Sequence, residues 1–164
     1  MNPRDGQRSR VYAAEEFVRT LFDRAAQHSS RSIDFFGESL TLPPEARFGS
    51  VDSVQRYVDE VLRLPAVRTR WPDTGPLAVR PRRGATAAHY EIAGGAAVIA
   101  VPADAGWALR EFVVLHEVAH HLCPDAAPAH GSVFVATFCA LAAAVMGPEA
   151  GHVLRVVYTK EGVR

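Results

Sequence analysis

The sequence predicts an α+β domain, and three observations carry that prediction. Apolar residues recur at helical spacing along an amphipathic stretch near the start of the chain. Three short β-like segments separated by glycine-containing turns occupy the middle. An apolar helix loaded with histidines follows them directly.

Residues 1 to 9 are polar and read as a disordered lead-in, so the domain is expected over 10 to 164. Val11, Ala14, Phe17, Val18, Leu21, Phe22 and Ala25 share one helical face, with Glu15, Glu16, Arg19 and Asp23 on the other. The stretch after it is broken by Gly37 and the Pro43–Pro44 pair and is expected to hold only a short strand near Leu40 to Leu42. Ser50 or Asp52 can cap a second helix, Val51 to Leu64, which Pro65 ends. "LAVRP", "AAHYEI" and "AAVIAVP" read as a small antiparallel sheet turning at Gly84 and Gly94–Gly95. Asp104 is the expected cap of the next helix, which is apolar on two faces and therefore buried. Pro124 stops it. A further helix starts between Pro128 and Ser132 and carries Phe134, Phe138, Leu141 and Val145, and the tail "HVLRVVYTKEGVR" could form a last strand.

Composition narrows the function classes. At 164 residues one domain suffices, burying roughly two thirds of the unfolded chain's surface. Formal net charge is zero, which argues against a whole-chain electrostatic role on nucleic acid or acidic membranes. Cys123 and Cys139 stand alone without CxxC spacing, so neither a disulfide framework nor a zinc ribbon is suggested. The sequence has no signal-peptide pattern and no span of about twenty apolar residues, which points to a cytoplasmic protein.

The chemistry concentrates in "VVLHEVAHHLCPDAAPAHGSVF", residues 113 to 134. Residues four apart on a helix sit one above the other, so His116 and His120 project from the same side and can grip one ion. Burying two imidazoles without partners would be costly, and a divalent metal removes that cost. Glu117 is turned about 100° around the helix, beside the ion rather than on it, where a general base for an activated water belongs. The pattern is H-E-x-x-H, whose mechanical reading is zinc plus a base for hydrolysis. A solvated, amphipathic helix end is the bland reading of the same residues.

Two imidazoles leave a catalytic zinc one protein ligand short. His121, Cys123, Asp125, His130 and Glu149 are the candidates. His130 is favoured, because it lies ten residues after His120, across a proline-bounded loop and at the mouth of the next helix. Cys123 shares the face of His116 but is followed at once by Pro124, and it ranks second; His121 points away and reads as a rim residue. Capping of the next helix is the structural alternative for His130. Tyr158, Tyr90, Arg155 and His152 are candidate oxyanion partners, each with a structural reading of its own, while Trp107 and Arg110 read as packing and solvated face.

"LHEVAHHL" followed by "HGSVF" resembles the minimal zincins, including the SprT-like and WLM-type metallopeptidases. More widely, "GWALREFVVLHEVAHHL", "HGSVF" and "MGPEAGHVLRVVY" look like an actinobacterial family of metallohydrolases defined by its HEXXH signature and without assigned substrates. The resemblance runs from about residue 10 to the end. It implies that His116, His120 and His130 ligate zinc and that Glu117 is the base. It further implies a minimal zincin-like domain, with a small antiparallel sheet packed on the motif helix and helices at both ends. Position 123 is not glycine, so the metzincin pattern is absent, and no zinc ribbon follows as in many SprT-like proteins.

The leading expectation is a zinc metallopeptidase, a monomer acting on a peptide or small amide, with "AAVIAVP" as the edge strand that receives extended substrate. The alternatives are a DNA-associated SprT-like protease and a catalytically silent metal-binding module. Arg63, Arg68, Arg70, Arg80, Arg82 and Arg83, with Trp71 among them, could track a phosphate backbone while stacking a base. In a chain with seventeen arginines and one lysine they read better as a solvated stretch, and nucleic-acid binding is not expected.

Overall fold

The computed structural model describes residues 4 to 84 and 87 to 164. The architecture is α+β, with two small sheets and helices. The chain divides into two compact units, one made of residues 1 to 45 and 125 to 164, the other of residues 46 to 124. Among the described residues no helix is long and apolar enough to cross a membrane.

In the first unit α1 spans Arg8–Ala26, and it buries the predicted face through Val11, Val18, Leu21 and Phe22. The segment expected to hold one short strand forms a hairpin instead, β1 (Ser32–Phe35) paired antiparallel with β2 (Glu38–Thr41). Its two-residue turn, Phe36–Gly37, takes positive φ at both positions, as the twist of a tight hairpin requires. The Asp34 carboxylate accepts from the Gly37 N–H. The glycine that looked like a breaker is thus the turn that makes the second strand. Helix α5 (Ser132–Met146) packs on α6 (Pro148–Lys160), and α6 packs on α1.

α6 corrects the expected last strand. Pro148 stands in its first turn, and Val153, Leu154, Val157 and Tyr158 fall on one helical face and are buried. Valine-rich sequence favours strands locally, but packing on α5 and α1 overrides that preference. The crossing with α5 is close at Gly151. A Cβ there would lie 2.6 Å from Ala143 Cβ and 3.0 Å from the Cys139 carbonyl oxygen.

Of the expected lead-in, residues 1 to 3 lie outside the described ones. Gln7 donates from its amide to the carbonyls of His130 and Arg164 and accepts from the Arg164 N–H, and Arg10 donates to the Gly162 carbonyl.

In the second unit α2 (Val51–Arg63) begins at Ser50, whose hydroxyl accepts from the Ser53 N–H while Ser53 returns the bond, a reciprocal cap. Pro65 ends α2 and also opens α3 (Pro65–Arg70), since a proline that cannot continue one helix suits the first turn of another. The sheet has the order β3 (Ala78–Arg82), β5 (Ala96–Pro102), β4 (His89–Ala93). β4 and β5 are antiparallel through Gly94–Gly95, but β3 runs parallel to β5, so the sheet is mixed rather than antiparallel. β5 lies at the centre and is not the expected edge strand. Its continuous apolar run, buried from Val98 to Pro102, suits a strand flanked on both sides. Pro81 sits on the outer strand β3, where a missing N–H is tolerated. Gln55 of α2 secures that strand, its amide donating to the Leu77 carbonyl and accepting from the Val79 N–H at 2.7 Å.

The motif helix α4 (Glu111–Leu122) packs against β4, β5 and α2. It starts later than expected. A 3-10 turn at Gly106–Ala108 intervenes, the N-cap position is Arg110 and not Asp104, and no side chain among the described residues caps it. The extended segment 46 to 48 fixes this start: Glu111 donates its N–H to the Ala46 carbonyl and accepts from the Ala46 N–H, Phe48 donates to Leu109, and Tyr57 donates to the second Glu111 oxygen. Arg110 is buried rather than on a solvated face. The side chain of Trp107 lies outside the described ones.

Candidate metal centre

The α4 periodicity turns His116 and His120 to one side, as their spacing requires. Their Nε2 atoms are 3.1 Å apart, with the rings edge to face. Two zinc–nitrogen bonds of about 2.0 to 2.1 Å at a tetrahedral angle would set the donor atoms about 3.3 Å apart, so the pair is spaced to share one ion. His116 is buried and His120 half-buried. Glu117, between them, is 6% exposed, which is unusual for a glutamate.

His130 precedes α5, and it too is buried. Its Nδ1 is 2.7 Å from an Asp5 carboxylate oxygen, its ring lies edge-on to Phe134, and its carbonyl accepts from Gln7. Because a carboxylate only accepts, Nδ1 carries the hydrogen, and in the neutral ring Nε2 is then the nitrogen whose lone pair can bind a metal. One donor atom from each of His116, His120 and His130 lies within 4.8 Å of the other two, so this buried group could hold a metal ion. The donor chemistry fits: three neutral imidazoles are a ligand set that zinc accepts readily.

The other candidates fall elsewhere. Cys123, Asp125 and Glu149 are not members of that group. His121 has both nitrogens engaged. Its Nε2 is 2.9 Å from the Gly75 carbonyl, which can only accept, so Nδ1 is left to accept from the Tyr90 hydroxyl at 3.3 Å. Tyr90 also stacks on His120, at 6.3 Å between ring centroids and 14° between planes. Of the four oxyanion candidates it is the one in contact with the motif histidines of its own unit. Tyr158 is buried and donates to Glu15, while His152 and Arg155 are exposed on α6, His152 lying 3.7 Å from Glu38.

Sequence reasoning missed Asp5, Gln7 and the link from Tyr90 through His121 to Gly75. Only the general rule that a metal-bound histidine passes its second N–H to a carboxylate or carbonyl could have prompted a search for them. A cleft of about 410 Å³ opens beside the end of α4, with Trp71, Asp73, Thr74, His121 and Cys123 among its lining residues. No family model, curated protein or solved structure matches the chain.

Proposed function

We propose that this protein is a zinc-dependent hydrolase of the minimal zincin kind, acting on a peptide or small amide, with His116, His120 and His130 as ligands and Glu117 as general base. The observation that carries the reading is the 3.1 Å separation of the His116 and His120 Nε2 atoms on a buried helix with Glu117 between them. Bound to this group, zinc supplies Lewis acidity toward a carbonyl and toward water.

The chain's own residues do the rest. Glu117 takes a proton from the attacking water and hands it to the leaving nitrogen, a task that suits a carboxylate largely withdrawn from solvent. Tyr90, at the outer strand β4, holds the face of His120 and keeps His121 out of the ligand set. β4 ends the sheet, so it replaces β5 as the strand on which an extended substrate would pair. The cleft at Trp71 and His121 offers room for a substrate side chain.

The test is metal analysis of protein purified without chelator, followed by peptide and amide hydrolysis assays. One zinc per chain is expected. His116→Ala should lose it, and His130→Ala should weaken its retention far more than His121→Ala or Cys123→Ala does. Glu117→Gln should retain metal and fold and lose hydrolysis by a factor of about 100 or more. A chain that takes up no transition metal near neutral pH overturns the reading. Full zinc loading with no hydrolysis in either form leaves the alternative of a binding module.

A further inference from the structure

Asp5 stands in a segment that composition alone consigns to a lead-in, yet its carboxylate meets a histidine of the group directly. Its Oδ2 is 2.7 Å from His130 Nδ1, and His130 is 5% exposed. The contact is held from two further directions. Gln7, two residues on, grips the carbonyl of His130 with its amide and uses the same side chain to pair with both backbone groups of Arg164. The Tyr12 ring, one turn into α1, and the Phe134 ring, edge to face with the imidazole, have their centroids 5.2 and 5.1 Å from that of His130. Asp5 is thus placed on a clamped backbone against a ring with little freedom to turn. Its other oxygen, Oδ1, is buried and has no hydrogen-bond partner among the described residues. Leaving a carboxylate oxygen unpaired costs stability, so the arrangement is not explained by stability alone.

Resting on the zinc reading above, we propose that Asp5 is the positioning residue of the metal centre, acting through His130. By accepting the Nδ1 hydrogen it fixes the tautomer that presents Nε2 as donor, holds the ring plane, and raises the basicity of the nitrogen that binds the ion. The segment from Asp5 to Gln7 is therefore part of the metal site and not a leader to it. Asp5 touches neither substrate nor ion.

The experiment is zinc affinity by competition with a chromophoric chelator on the full chain. It compares wild type, Asp5→Ala, Asp5→Asn, His130→Ala and the Asp5→Ala/His130→Ala double variant, with the thermal midpoint of each metal-free protein. Asp5→Ala should weaken zinc binding about 10- to 100-fold, the range for loss of such outer partners, and Asp5→Asn, which still accepts a hydrogen bond but lacks charge, should fall between it and wild type. In the His130→Ala background, removing Asp5 should change affinity no further, because its effect passes through that ring. A merely structural Asp5 would lower the metal-free midpoint and leave zinc affinity alone, which overturns the proposal. So does an Asp5→Ala loss that persists undiminished without His130. If Asp5→Ala does not fold, Asp5→Asn, which keeps the shape, decides by the same comparison. Wild-type protein that binds no zinc at all fails the metal reading itself, whereas zinc-loaded wild type with an unaffected Asp5→Ala fails this inference alone.

Discussion

His116 and His120 could be paired from sequence because helical geometry alone decides that relation, four residues apart on one face. Asp5 could not, since its contact with His130 spans 125 positions and no local spacing encodes it. Two other buried titratable residues were visible in the sequence without their surroundings, Cys139 as a lone thiol and Tyr158 as an oxyanion candidate. Burial pushes the Cys139 thiol up to about 11, and Tyr158 is held well above the usual tyrosine range first by burial and then by the Glu15 carboxylate to which it donates. Both groups hold their protons more tightly folded than unfolded. Their contribution is therefore fully present below the unfolded values of 9.0 and 10.0, and it is lost as pH rises through the folded ones. The expected outcome is a urea midpoint that falls progressively above about pH 9, with a shallower fall in Tyr158→Phe. A midpoint flat to about pH 11 would contradict the burial argument. In the same samples a thiol reagent at about pH 8 should label Cys123, half-exposed at the end of α4, and spare Cys139 until the chain unfolds.

At the scale of elements, helices with clear periodicity were legible nearly to their ends, as α1 and α2 show. Elements whose identity depends on a partner were not. The valines of α6 read as strand until α5 and α1 supply a surface for one helical face, and the first strand of the β1–β2 hairpin is only four residues long. The α5–α6 crossing offers a direct test of that packing. Alanine is the better helix former by about 0.8 to 1.0 kcal/mol, so in an open helix Gly151→Ala would stabilise. Here the added methyl would meet Ala143 Cβ at 2.6 Å and the Cys139 carbonyl at 3.0 Å, and neither is the end of a flexible side chain. Overpacking of this kind costs about 1 to 3 kcal/mol, so it should outweigh the propensity gain. Gly151→Ala should lower the denaturant midpoint, and adding Ala143→Gly should recover part of the loss. Stabilisation by Gly151→Ala would mean that the helices are free to separate there.

At the scale of the molecule the α+β class was legible because helical and β-like stretches differ in period, whereas strand order was not, because β3 reaches β5 without any local turn between them. The division into two compact units also escaped the sequence, since the first is assembled from both ends of the chain. Charge is the whole-molecule property that the sequence states outright. With zero net charge, attraction to a polyanion would have to come from the arginines between Arg63 and Arg83. Their charges are partly spoken for. Arg80 is paired with Glu91, whose carboxyl that contact holds below the usual range, Arg82 donates to the Ala87 carbonyl, and Arg70 lies over the Trp71 ring at 5.4 Å. A Trp71 face covered by its own neighbour is poorly placed to stack a base, and a paired Arg80 releases few counterions on meeting a phosphate. The expected result of fluorescence anisotropy with single- and double-stranded oligonucleotides at two ionic strengths is no saturable binding near physiological salt. A variant with Arg68, Arg70, Arg80, Arg82 and Arg83 changed to Ser should then match wild type. Saturable binding that survives the higher salt and vanishes in the variant would reverse this expectation and favour a DNA-associated hydrolase.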